Sequence, residues 1–477
     1  MRTFSIATFP FDRSAAEPFY QQIYDGVRAS IVTGRLRPGE RLPSTRGLAA
    51  ELGISRLPVV YAFDQLLHEG YIVGRAGSGS YVNESIPDEL AEVGASSSVS
   101  PRPQAGRPAR STDGYRLGAL RVSLPALDSF PLRLWSRLVA KNVRALTPQQ
   151  MAYGDPAGYA PLRVAIADYL RTARAVQCDA DQVLIVSGSQ MALQISASTL
   201  LGSGRVACME EPGYAGARDA LTRSGARIVP VRVDDQGIDV AALGRQRRAR
   251  VVYVTPSHQY PLGVSMAASR RLELLEWARR AGAWILEDDY DSEYRYASRP
   301  LGSLQGTDAA ARVIYFGTFS KVLFPSLRIG YVVVPHELID AFIKAREAID
   351  LFSPVLDQIV LTEFLVEGHF SRHLRRMRAL YQIRRDALVR HLREHADLHA
   401  HNCEAGLHIS TFLPEGIDDH EVVKKAASAG IDVLPLSDCY AGSNRRTGLV
   451  IGFGGGSEHQ ISAACRKLGE IVKSVRS

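Results

Sequence analysis

The chain of 477 residues carries a formal net charge of +7, with 46% hydrophobic and 22% charged residues. That length exceeds one ordinary core and predicts several domains, and the composition excludes a wholly disordered chain. The modest positive charge fits an anionic partner without identifying one. Cys178, Cys208, Cys403, Cys439 and Cys465 form no CxxC pair and no zinc-type spacing with histidines, so they read as reduced core residues with no metal site. Asp12 and Arg13 interrupt the N-terminus before a signal sequence could form, and no apolar run is long enough to span a bilayer, which predicts a cytoplasmic protein.

Tyr20, Ile23, Tyr24, Val27 and Ile31 recur at helical spacing with Gly34 after them, which predicts a first helix. Ser44 is placed to cap a short second helix through Leu52, broken by Gly53. Ser55 is placed to cap a third helix carrying Val59, Val60, Phe63, Leu66 and Leu67, ended by Gly70. Tyr71–Val73 and Ser80–Val82 flank a glycine-rich tip and predict a two-stranded wing. Residues 84–116, rich in Ser, Pro, Ala and Gly, cannot repay the entropy of ordering and read as a flexible linker between a small domain, 1–83, and a large one, 117–477. Beyond it, short apolar runs from Val183, Arg205, Val251, Ala283, Val313 and Ile329 alternate with amphipathic helices, predicting an α/β unit with a mainly parallel sheet and helices on both faces. From about 371 to 477, a long basic helix, strands at Leu407–Phe412 and Leu449–Phe453 and a last helix predict a smaller α+β lobe.

Arg41, Ser44 and Arg46 cluster around the second helix, and Ser55 and Arg56 open the third. A recognition helix reads the major groove with its first turn while nearby arginines and hydroxyls hold phosphates; Arg75, in the wing tip, is placed to reach a phosphate or the minor groove. Each arginine by itself is equally compatible with a solvated face. The ordered run from Glu40 to Val82, however, resembles the α+β winged helix-turn-helix of the GntR regulators nearly end to end. The resemblance implies binding to double-stranded operator DNA, with Arg46 and Arg56 as base or phosphate contacts and Arg41, Ser44, Ser55 and Arg75 supporting them. Pro58 stands where that family usually has threonine. In a first helical turn its missing N–H has no intrahelical partner to lose.

Lys321 lies in the segment Thr318–Gly330 after a buried strand, where it could form a Schiff base with an aldehyde cofactor while Arg328 holds a phosphate. The strand from Ala283 ends in Glu-Asp-Asp-Tyr, which puts Asp288 at the C-terminal sheet edge, where such folds bind ligands. A carboxylate beside a pyridinium nitrogen makes the ring an electron sink. Ser189 and Gln190 open a helix whose free N–H groups suit a phosphate.

Together these features resemble the fold-type-I pyridoxal-phosphate enzymes from about Leu117 to the end. The resemblance implies pyridoxal 5'-phosphate as cofactor, Lys321 as the Schiff-base lysine, Asp288 as partner of the pyridine nitrogen and Tyr290 as a hydrogen bond to the phenolic oxygen. It also puts Thr318 and Arg328 on the phosphate and Tyr214 over the ring. Tyr153 resembles the tyrosine that reaches the phosphate of a neighbouring subunit, which implies a dimer.

Two departures stand out. Tyr260 occupies or neighbours the place of an asparagine that binds the phenolic oxygen in aminotransferases, with His258 and Gln259 beside it. Each also reads as a packed loop residue. Val450 stands where those enzymes carry a carboxylate-binding arginine, with Arg445 and Arg446 just upstream. The domain order and the phrase TPSHQYPLG resemble the MocR/GabR regulators. That implies a cytoplasmic, nucleoid-associated transcription regulator, a homodimer with head-to-tail domain exchange, sensing a small amine or pyridoxal phosphate. Its aminotransferase-like domain is expected to be degenerate, with at most a residual transaminase half-reaction. A working aminotransferase with an accessory DNA-binding domain is the alternative; a bare dimerisation scaffold fits poorly with Lys321, Asp288 and Arg328 all present.

Overall fold

The computed structural model describes residues 11–15, 17–75, 78–84, 118–296 and 302–476. The expected linker, apart from Glu84, and the N-terminal decapeptide lie outside the described residues. The chain divides into two compact units, Met1–Thr112 and Asp113–Ser477.

In the smaller unit, helices Phe19–Val32, Thr45–Leu52 and Arg56–His68 precede a hairpin of β1 (Ile72–Arg75) and β2 (Gly79–Val82). The strands pair antiparallel from Ile72 opposite Val82 to Arg75 opposite Gly79. Ile23, Val27, Leu48, Leu52, Val59 and Phe63 meet in one core because each recurs on the inner face of its helix. Ser44 caps the second helix as its position predicts, accepting from Gly47 N at 3.0 Å. Ser55 differs: it holds the N-cap position of the third helix, but its side chain makes no capping bond. A cap hydroxyl accepts from the second or third helical N–H, and Pro58, at the third position, has none to give. The Ser55 hydroxyl is left facing outward, exposed.

The larger unit is built on β3 (Val183–Val186), β4 (Val206–Glu211), β5 (Arg227–Asp234), β6 (Gly237–Ile238), β7 (Ala249–Val254), β8 (Trp284–Asp289), β9 (Val313–Thr318) and β10 (Gly330–Val333). They form one sheet in the order β3-β10-β9-β8-β7-β4-β5-β6. The β5-β4-β7-β8-β9 stretch is parallel. β10, the run from Ile329, is antiparallel to both β9 and β3 within this mainly parallel sheet. The 319–329 connection is too short for the crossover a parallel neighbour needs, so the chain turns straight back, and that turn carries Lys321 and Arg328. Val183 and Ile185 face a core with helices Ala160–Arg174 and Val355–Val366, while Leu184 and Val186 face helices Ser189–Leu200 and Ile339–Asp350. Burial on both faces explains why these strands are apolar throughout rather than alternating.

Helix His369–His391 leads into the smaller lobe, an antiparallel sheet of β11 (Ala400–His401), β12 (His408–Phe412), β13 (Leu434–Pro435) and β14 (Gly448–Gly452) in the order β11-β12-β14-β13. Helices Asp419–Ser428 and Glu458–Arg476 pack with it. The two longer strands fall within one residue of their predicted spans. Strands as short as β11 and β13 carry no alternating pattern to detect. Cys178, Cys208, Cys439 and Cys465 are buried and Cys403 is half-buried, all as free thiols. Among the described residues no helix is long and apolar enough to cross a membrane.

Candidate cofactor site and DNA-reading face

Three strand ends build the site of the larger unit: β8 delivers Asp288, β9 hands over from Thr318 to Lys321, and β3 leads to Gly188, where helix Ser189–Leu200 starts. Lys321, Asp288, Tyr290, Tyr214 and Tyr260 line one cavity, and the same wall includes Ser189, Gln190, Thr318 and Arg328.

Asp288 is enclosed. Tyr253 donates its hydroxyl to Oδ2 at 2.8 Å, while Oδ1 is buried with no protein partner. Burial, reinforced by Asp289 and Asp291, pushes the carboxyl up to about 7. A protonated ring nitrogen at Oδ1 would supply the missing donor and offset that cost. Lys321 donates from Nζ to the Ser123 carbonyl oxygen at 3.2 Å. Burial pushes its amine down to about 8, which makes the neutral, nucleophilic form accessible near neutral pH.

At the other end of the cavity Gly188 has φ 110°, and a Cβ there would lie 3.4 Å from a guanidinium nitrogen of Arg328. Glycine therefore lets Arg328 close over the start of the helix. Thr318 Oγ1 accepts from Ser320 N at 3.2 Å, which leaves its hydrogen free to donate. A guanidinium, a hydroxyl and a helix start together suit a phosphate. Gln190, on the same wall, donates from Nε2 to the Tyr214 hydroxyl at 3.0 Å. Tyr260 meets the Tyr214 ring edge-on at 5.6 Å. An orphan carboxylate oxygen, a lysine with lowered pKa and an anion cradle fit an aldehyde cofactor with a pyridine nitrogen and a phosphate.

Tyr290 has one hydroxyl hydrogen, and it goes to the His258 carbonyl oxygen at 2.8 Å. That bond competes with donation from Tyr290 into the cavity. His258 lies behind Tyr290 and off the cavity wall, its Nδ1 3.1 Å from both Tyr290 Oη and Asp291 Oδ1. Its ring packs 4.9 Å from that of His408, whose imidazole burial holds near 3 and hence neutral. His258 is linked to the cavity wall by its contact with Tyr290. Tyr153 is 85% exposed, edge-on to Phe352 and off this wall, so its implied role needs a second copy of the chain. Tyr253, Ser123 and Ser320 also line the cavity, although no sequence motif singles them out. Tyr253 sits inside an apolar strand and reads as core, and Ser123 is remote in sequence. A larger groove of about 610 Å³, lined by Arg174, Glu293 and Arg378, has no lysine among its described lining residues.

In the smaller unit the starts of the second and third helices adjoin, with Arg56 Nε donating to Thr45 Oγ1 at 3.0 Å. Arg41, Ser44, Arg46, Ser55 and Arg56 are all exposed. Arg75 is exposed too, its guanidinium 4.6 Å over the Tyr81 ring and 3.9 Å from Glu84. Leu57 and Tyr61 add exposed apolar surface to the third helix, at 58% and 57%. Such groups suit thymine methyls.

A winged helix-turn-helix and a fold-type-I aminotransferase unit in one chain define a class: a DNA reader coupled to a small-molecule-binding body. Residues 19–82 match the model for bacterial regulatory proteins of the gntR family, and residues 132–468 match aminotransferase class I and II. The chain is 39% identical over 458 residues to the probable rhizopine catabolism regulatory protein MocR of Rhizobium meliloti, covering 93% of this chain and 92% of that one. It is 31% identical over 473 residues to the pyridoxine biosynthesis transcriptional regulator PdxR of Corynebacterium glutamicum, covering 98% and 99%. Among solved structures it resembles the Pyrococcus horikoshii kynurenine aminotransferase, in complex with PMP, at TM-score 0.70 and 28% identity, covering 76% of this chain and 92% of that one. This chain belongs to the MocR-type regulators of the gntR family, whose C-terminal part is an aminotransferase class I and II domain.

Proposed function

We propose that this regulator holds pyridoxal phosphate in the Lys321 cavity, senses a small primary amine or the cofactor itself there, and so controls operator binding by its winged helices. The observation that carries the reading is the pairing in one cavity of Lys321, an amine lowered to about 8, with Asp288, whose Oδ1 is a buried acceptor without a partner. Pyridoxal phosphate supplies an aldehyde that bonds reversibly to primary amines and a ring that draws electrons. Lys321 holds the aldehyde end, Asp288 accepts from the ring nitrogen, and Tyr214 covers the ring. Thr318, Ser189 and Arg328 bind the phosphate, and Tyr260 and Tyr290 face the phenolic oxygen. In a head-to-tail homodimer Tyr153 reaches the partner's phosphate. Arg46 and Arg56 contact operator bases or phosphates, assisted by Arg41, Ser44, Ser55 and Arg75. Residues 84–116 tether the reader, 1–83, to the sensor, 117–477. The protein works in the cytoplasm at the nucleoid and does not turn over as an enzyme.

Linkage requires effector and operator to change each other's affinity by the same factor. Titrating amines and pyridoxal phosphate against operator affinity, in wild type and Lys321→Ala, tests the reading: a response that survives intact in the variant removes Lys321 as the switch. The completeness of the Lys321, Asp288 and Arg328 set favours one rival, an active aminotransferase. Sustained turnover with an amino donor and a keto acid would establish it.

A further inference from the structure

Behind the Lys321 cavity lies a carboxylate to which the reading above gives no task. Asp291 follows the end of β8 by two residues, is 2% exposed and is not among the described residues lining the cavity. Its Oδ2 accepts from Leu407 N at 3.1 Å, and its Oδ1 lies 3.1 Å from His258 Nδ1. A carboxylate only accepts, so Nδ1 carries the hydrogen. The same Nδ1 is 3.1 Å from Tyr290 Oη, whose own hydrogen goes to the His258 carbonyl oxygen at 2.8 Å. Side chain and backbone of His258 thus grip one tyrosine hydroxyl, and Asp291 sets the tautomer and orientation of the ring that does so.

Close packing holds this arrangement in place. Gly406, with φ 76°, stands so near that a Cβ there would run into both the His258 ring and the Asp291 carboxylate. The His408 ring, 4.9 Å from that of His258, donates from Nε2 to the Pro261 carbonyl oxygen at 3.3 Å, and burial keeps it neutral. The influence of Asp291 extends to Lys321. Burial lowers the pKa of that amine most; Asp291 and then Asp288 oppose the fall, and Arg328 adds to it.

We infer that Asp291 and His258 are positioning residues of the cofactor site: the pair fixes the Tyr290 hydroxyl, and the Asp291 carboxylate supplies negative charge to Lys321. This rests on the reading that Lys321 captures pyridoxal phosphate in this cavity.

Capture of pyridoxal phosphate by cofactor-free, full-length protein, followed by visible absorbance across a pH series, tests the charge. Asp291→Asn keeps the shape of the side chain and removes an anion that favours the ammonium form of Lys321. The midpoint of its rate profile is therefore expected to lie roughly one pH unit below that of wild type. Asp288, relieved of repulsion by Asp291, ionises more fully and offsets part of the fall, so the double variant Asp288→Asn/Asp291→Asn should fall further. A midpoint in Asp291→Asn equal to that of wild type, or above it, overturns the inference.

The grip on Tyr290 is tested in cofactor-loaded protein. His258→Leu removes the donor at the Nδ1 position and should shift the visible absorption maximum, whereas His258→Asn keeps a donor there and should restore it. An unchanged maximum in His258→Leu, or an equal shift in both variants, overturns the inference, and this pair decides alone if Asp291→Asn does not fold. Absence of capture by wild type at every pH, or equal capture by Lys321→Ala, removes the reading of the cavity and the inference with it. Capture that needs Lys321 but has an unmoved midpoint removes the inference only.

Discussion

The Tyr253 hydroxyl donates to Asp288 Oδ2 at 2.8 Å and leaves Oδ1 as a buried acceptor with no protein partner. One oxygen is held by the protein, and the other waits for a donor. Tyr253→Phe removes the bond that orients the carboxylate, and a hydrogen bond to a charged group contributes about 1.5–3 kcal/mol. Retention of pyridoxal phosphate is expected to weaken by roughly ten- to a hundredfold, with operator affinity of the cofactor-saturated protein unchanged. Equilibrium dialysis of cofactor against wild type and variant checks this; equal retention would separate Tyr253 from the site.

Asp288 also predicts a pH dependence. Its folded pKa, about 7, lies above the ordinary 3.8. Between those values the folded state binds more protons than the unfolded one, so the contribution of Asp288 to stability falls as pH rises across that window. Without cofactor, Asp288→Asn is therefore expected to be about 1–3 kcal/mol more stable than wild type at pH 8 and close to it at pH 4. The same variant should retain cofactor less well. Denaturant unfolding of the cofactor-free proteins at the two pH values is the check, and a variant less stable at pH 8 counts against the burial argument.

For Lys321 the shift runs the other way, from 10.5 down to about 8. The neutral amine is the attacking form, so capture of pyridoxal phosphate by cofactor-free protein should accelerate with pH and level off above about 8. Stopped-flow absorbance would show this. A profile still rising steeply at pH 10 would mean that the amine is not desolvated.

Arg46→Ala and Arg56→Ala are expected to weaken operator binding while leaving the cofactor spectrum unchanged. A base contact costs about 1–3 kcal/mol and relaxes specificity at its position, whereas a phosphate contact weakens all sequences alike and lowers the salt slope by about one. Footprinting and salt titrations distinguish the two. Full binding in both variants would misplace the reading face.

Much of this protein was legible in its sequence because the signals are local. Helical periodicity and the Ser44 and Gly53 boundaries marked the reader, and continuous apolar runs marked strands buried on both faces. Lys321, Asp288 and Arg328 stood out because each lies at or near a strand end that is readable from the chain alone. The rest is relational. The reversal of β10 follows from the length of a connection, the idle Ser55 cap from a proline three residues on, and the Tyr253–Asp288 bond from two strands lying side by side. The direction of the Tyr290 hydrogen and the withdrawal of His258 from the cavity depend on a carbonyl in a loop remote in sequence. Ser123 enters the site from a segment far from Lys321 along the chain. Sequence periodicity reports which face of an element is buried, but which polar atom meets which across a core is set by packing between elements, and that exists only once the chain has folded.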